Sequence, residues 1–90
     1  MKIDREIQVI NKLGLHARAS AQLVKLATTY RSDVRLVRGN QSVDGKNIMG
    51  VMMLAAACGT QITVSAIGDD ADEVVDKIST LFSSRFGEQE

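Results

Sequence analysis

The stretch Asn11-Lys12-Leu13-Gly14-Leu15-His16-Ala17-Arg18-Ala19-Ser20-Ala21 marks the place where one local pattern gives way to another. Upstream of it, Arg5 to Ile10 alternates Glu6 and Gln8 against Ile7 and Val9, which suits a half-buried strand. Downstream, Ala17 to about Tyr30 reads as a helix. Leu23, Ala27 and Tyr30 form one stripe, widened by Ser20, Val24 and Leu26, while Gln22, Lys25 and Thr29 face outward. Gly14 lets the backbone turn sharply between the two.

Further along, Asp33 to Arg38 alternates again, Gly39-Asn40 signals a tight hairpin, and Gln41 to Asp44 is a short return strand. Asn47 is a good N-cap for a second helix, expected from Ile48 to about Ala57. Thr60 to Ile67 is the strongest strand pattern, with Ile62, Val64 and Ala66 opposing Gln61, Thr63 and Ser65. A last helix is expected from about Ala71 to Phe86, acidic in its first turn and closed by Arg85 and Gly87. The order βαββαβα, with three one-faced helices, predicts an α+β fold. It is a two-layer open-faced sandwich, a four-stranded antiparallel sheet with the helices on one face.

Ninety residues make one domain, 1–90, with one modest core. Eleven basic and eleven acidic side chains cancel, so no broad positive field invites nucleic acid or a membrane surface. The aromatics, Tyr30, Phe82 and Phe86, build no base-stacking platform. One cysteine, Cys58, excludes an internal disulfide, and with one histidine the chain lacks the ligands of a zinc site. Cys58 itself reads as a small buried apolar residue. The run Asp69-Asp70-Ala71-Asp72-Glu73 lacks the ligand spacing of a calcium loop and is better explained as helix capping. Neither metal nor cofactor is expected. No apolar run is long enough for a signal peptide or a bilayer span, which predicts a cytoplasmic protein.

His16 is the only histidine, and it falls in the N-cap region of the first helix. First-turn N–H groups have no intrahelical acceptor, and the macrodipole is positive there, so anions are favoured. The same field favours the neutral, nucleophilic imidazole. A phosphoryl group on the ring would lie against the amides of Ala17 and Arg18, and the Arg18 guanidinium could hold its oxygens. A lone histidine is often only a surface residue. No acid–base partner lies in the local motif, so an independent enzyme is not expected. A nucleophile that other proteins charge and discharge fits better.

Gly14-Leu15-His16-Ala17-Arg18-Ala19-Ser20 closely resembles the active-histidine signature of the HPr family, phosphocarriers of the bacterial phosphoenolpyruvate-dependent phosphotransferase system. Lys46-Asn47-Ile48-Met49-Gly50-Val51-Met52 resembles that family's second signature, and the likeness spans nearly the whole chain. The resemblance implies the same sandwich fold, phosphorylation of His16 on Nδ1 by enzyme I, stabilisation by Arg18, and transfer onward to enzyme IIA proteins. Two departures stand out. Family members usually carry proline where this chain has Ala19, which should loosen the first turn slightly. Many carry a regulatory serine where this chain has Asn47, which has no hydroxyl to phosphorylate.

The segment from Ile48 to Ala57 is apolar almost throughout and holds Met49, Met52 and Met53. On pattern alone it reads equally as a core helix or as an adaptable docking surface. The resemblance implies the second, with Ala17, Ile48, Met49 and Met52 meeting partners and Lys25 adding electrostatic steering. The nitrogen-related branch of the same family, NPr-type and regulatory, is the alternative reading, and a non-catalytic docking module a third. A monomer is expected, because a relay must free one surface for successive partners.

Overall fold

Alternation decides the sheet. In the computed structural model, which describes residues 1–90, β1 spans Lys2–Gln8, β2 Asp33–Arg38, β3 Gln41–Asp44 and β4 Gln61–Ile67. Helices α1 (Ala17–Thr28), α2 (Ile48–Met53) and α3 (Ala71–Ser83) are interleaved among them. The strand order is β1-β4-β2-β3 and every pairing is antiparallel. β4 therefore inserts between β1 and β2, and Ile62, Val64 and Ala66 sit at the centre of the sheet. Those three side chains, with Val34 and Leu36 of β2, are buried, while Gln61, Arg35 and Asp33 between them are exposed. One face is therefore covered by helices and the other is left open.

The helices close the covered face with the stripes their sequences carry. α1 buries Ala19, Ser20, Leu23 and Ala27, and α3 buries Ala71, Val74, Val75, Ile78 and Phe82. A single hydrophobic cluster joins these to Val51, Leu54 and the sheet. Asp70 binds the loop that follows α1. Its carboxylate accepts from the N–H groups of Arg31 and Ser32, both at 2.9 Å, and from the Ser32 hydroxyl. Lys46 donates to the Tyr30 carbonyl at 2.8 Å, just beyond the last turn of α1, where a cation is favoured.

Three boundaries depart from the expectations. β1 spans Lys2–Gln8 rather than Arg5 to Ile10, because its register with β4 runs from Gln61 to Ile67. α2 stops at Met53, not near Ala57. Leu54 is its C-cap, Ala55 takes a left-handed φ of 50°, and Arg38 donates to the Leu54 carbonyl at 2.6 Å. The shorter helix leaves Cys58 in the turn before β4, exposed rather than buried. α3 ends at Ser83, and the expected last turn is replaced by a one-turn 3-10 segment, Arg85–Gly87, at left-handed φ values of 56°, 55° and 79°.

Gly14 is the tightest point of the fold. Its φ is +65°, and a Cβ there would lie 2.5 Å from the Ala56 carbonyl oxygen. Gly14→Ala is expected to destabilise the protein by at least about 2 kcal/mol, adding left-handed strain to a displaced backbone. Ala21→Gly, on the exposed face of α1, is expected to cost about 1 kcal/mol. Urea melts of the two variants check the ordering, and equal losses would contradict the close approach.

Candidate functional site

His16 is the N-cap of α1. Its backbone is extended at φ −72° and ψ 179°, and its carbonyl accepts the helical bond from the Ser20 N–H at 2.8 Å. Its ring does what a capping side chain does, for Nδ1 accepts from the Arg18 backbone N–H at 3.3 Å. A nitrogen that accepts has a lone pair, so Nδ1 is the unprotonated nitrogen of the neutral ring, a tautomer assigned from its partners. The two residues expected to cradle an anion, Ala17 and Arg18, are both exposed beside it. No acidic residue lies in the first turn, and the Arg18 guanidinium makes no hydrogen bond or ion pair within the chain. The helix mouth thus presents donors and positive charge, with nothing of opposite sign in the turn to neutralise them.

The loop leading into His16 is braced on two sides. The Leu15 N–H donates to the Ala56 carbonyl at 2.9 Å, and the Gly59 N–H donates to the Val9 carbonyl at 2.7 Å. The segment after α2 is thereby tied to the histidine loop. On the other side lies the C-terminal segment, which the sequence reading did not include in the site. Glu88 Oε2 meets His16 Nε2 at 2.5 Å, and Glu88 Oε1 accepts from Asn11 Nδ2 at 3.0 Å. Asn11, fully buried, also donates to the Gly14 carbonyl at 2.8 Å. Glu90 follows along the loop, its carbonyl accepting from the Lys12 N–H at 3.0 Å and its carboxylate pairing with Lys12 Nζ at 3.2 Å.

Only the left-handed turn at Arg85–Gly87 brings Glu88 back to the ring. Two non-glycine residues at positive φ are strained by roughly 1–2 kcal/mol each. Phe86 offsets that by burying its ring edge-on against Phe82, with centroids 4.9 Å apart. Gly87 alone marks this turn in the local sequence, since arginine and phenylalanine rarely adopt that conformation.

The residues expected to meet partners lie on exposed surface. Ala17, Lys25, Ile48, Met49 and Met52 are all exposed, while Val51 and Leu54 carry the inward side of the α2 segment. Lys25 lies about 12 Å along α1 from Ala17. One more apolar side chain of α2 that the sequence reading left out is exposed, Met53 at 71%, and Leu13 in the loop before His16 is 67% exposed. Asn47 caps α2 as expected, its side-chain oxygen accepting from the Gly50 N–H at 3.0 Å. A shallow concavity on the open sheet face, lined by Lys2, Asp33, Arg35, Ser42, Asp44 and Ser65, includes none of the site residues.

The molecule is an antiparallel open-faced sandwich in which a histidine caps the first helix beside an unpaired arginine, a site open to an anion. A sequence profile described as "PTS HPr component phosphorylation site" matches residues 3–84. The chain is 49% identical over 88 residues to a phosphocarrier protein HPr of Cupriavidus necator, covering 98% of this chain and 99% of the relative. It is 36% identical over 87 residues to a phosphocarrier protein NPr of Shewanella violacea, covering 97% and 96%. Its fold matches a crystal structure of HPr from Thermoanaerobacter tengcongensis with a TM-score of 0.94, at 36% identity and over 98% and 99% of the two chains. A second structure from that organism is of an HPr dimer. The chain belongs to the HPr family, whose members are phosphocarriers rather than independent catalysts.

Two carboxyls are held below the ordinary carboxylate range. For Glu88 the largest cause is its hydrogen bond with His16, followed by that from Asn11, with burial working the other way. For Asp70 it is the Ser32 hydroxyl, followed by the Arg31 N–H. A carboxyl with a lowered folded-state value contributes stability above its unfolded value, near 4, and loses it as pH falls. The thermal midpoint is therefore expected to drop between about pH 5 and pH 3. Asp70→Asn should lower the midpoint at neutral pH and flatten that acid slope, which melting curves across the range will check.

Proposed function

We propose that this chain accepts a phosphoryl group on Nδ1 of His16 from phosphorylated enzyme I and passes it to enzyme IIA proteins of the phosphotransferase system. The observation that carries the reading is the His16 ring at the mouth of α1, with Nδ1 against the Arg18 N–H and the side chain 26% exposed. Covalent attachment at Nδ1 uses its lone pair and releases the Arg18 N–H, which can then donate to a phosphoryl oxygen. The Ala17 N–H, which has no helical acceptor, and the Arg18 guanidinium add donors to the same group. Stabilisation by several weak donors suits a relay, because a cargo held too tightly would not be surrendered.

The exposed apolar side chains Ile48, Met49, Met52 and Met53 of α2, which packs against the helix carrying Ala17 and Lys25, are assigned to docking of both partners in turn. Such a surface is needed free at each step, which favours a monomer as the working state. No helix is long and apolar enough to cross a membrane; a cytoplasmic relay is the location that the proposed exchange with enzyme I favours. Control by serine phosphorylation does not extend to Asn47. The higher identity to an HPr than to an NPr favours the sugar-uptake branch over the nitrogen-related one.

Incubation with enzyme I and phosphoenolpyruvate should add one acid-labile phosphoryl group by intact mass, and His16→Ala should abolish it. Failure of both the sugar-type and the nitrogen-type enzyme I to charge the chain would overturn the reading in favour of a docking module. Arg18→Ala is expected to slow transfer by about tenfold to a hundredfold, the worth of charge-assisted hydrogen bonds, while its circular dichroism spectrum stays unchanged.

A further inference from the structure

We propose that Glu88 is a positioning residue for the relay. Its carboxylate holds the proton on Nε2 of His16, leaves the lone pair on Nδ1, and balances the positive charge the ring acquires when Nδ1 is phosphorylated. This rests on the reading of His16 as the phosphoryl acceptor.

A carboxylate touching a surface histidine is ordinarily worth little. Here the contact is built. The Glu88 side chain is 16% exposed and the His16 side chain 26%, so solvent screens them less than a surface pair. Glu88 is held from behind by Asn11, whose two amide protons go to the Gly14 carbonyl and to Glu88 Oε1. The Asn11 oxygen is buried without a partner. Flipping that amide would aim its oxygen at a carbonyl and a carboxylate, so the NH2 group must point where it does. The strained turn at Arg85–Gly87, held in place by the buried Phe86, delivers Glu88 to this position. The lowered proton affinity of Glu88 agrees, keeping it an acceptor in neutral solution.

The chemistry balances on this arrangement. The Nδ1 lone pair forms the new N–P bond, and the bond from phosphorus to the donor breaks with its electron pair returning to the donor atom. The Nε2 proton stays in place, so the acceptor ring becomes a phosphorylated imidazolium, with Glu88 supplying the opposing charge. On discharge the pair returns to Nδ1 and the ring leaves neutral. Glu88 acts on the far nitrogen, away from the incoming dianion. The other charged groups around the ring are Arg18 of α1 and the Lys12–Glu90 pair beside the loop, and α2 contributes none.

Glu88→Gln keeps the shape and removes the charge, and its melting curve verifies the fold. Loss of a buried aspartate that orients a catalytic histidine costs about ten-thousandfold. For this partly solvated pair, enzyme I is expected to charge the variant about tenfold more slowly. Nitrogen-15 NMR of the phosphorylated ring should show the Nε2 proton leaving about one pH unit lower in the variant. In the uncharged protein, the same spectra should show Nε2 protonated and protected from solvent exchange, with that protection lost in the variant. A variant charged at the wild-type rate, with its ring proton leaving at the same pH, overturns the role of Glu88 alone. A wild-type chain that no enzyme I charges overturns the reading of His16 itself, whatever the ring spectra show.

Discussion

The close approach of two backbone segments at Gly14 governs the geometry of the whole site. The Leu15 N–H reaches the Ala56 carbonyl only because Gly14, at φ +65°, places no side chain between them. That contact ties the histidine loop to the end of α2, aims the chain into α1, and sets His16 at its N-cap. A helix mouth is a generic source of unpaired donors. What makes this one a site is that the preceding loop cannot swing away from it.

The His16 ring then has two different neighbours. Nδ1 faces the backbone N–H of Arg18 at the positive end of a helix, and Nε2 faces the carboxylate of Glu88. The two contacts agree on one tautomer, with the lone pair on Nδ1. They also differ in charge, a backbone donor at the positive end of a helix on one side and a carboxylate on the other. On the proposed relay, both contacts would serve a ring that is phosphorylated and then discharged.

Around this centre the apolar content is divided in an unusual way for so small a molecule. α2 turns Val51 inward and presents Ile48, Met49, Met52 and Met53 to solvent. The outward methionines are unbranched and polarizable, able to adapt to more than one partner face. The core tolerates this division because the central strands β2 and β4 and helices α1 and α3 close it without help from those side chains.

Strand and helix patterns at β2, β4, α1 and α3 were legible because each buries one face, and burial imposes its period on the sequence. The histidine at a strand-to-helix junction with Arg18 beside it was legible for a related reason, since capping chemistry is local. The extent of α2 was not, because its end depends on Arg38, sixteen residues away, binding the Leu54 carbonyl. Nor was Glu88. Its arrival at His16, seventy-two residues earlier, depends on a left-handed turn that local propensity opposes and that the burial of Phe86 sustains. The sequence by itself determined the elements, their inward faces and the histidine at the helix mouth. Only the tertiary structure decided what stands behind the ring, because that choice was made by packing between distant segments.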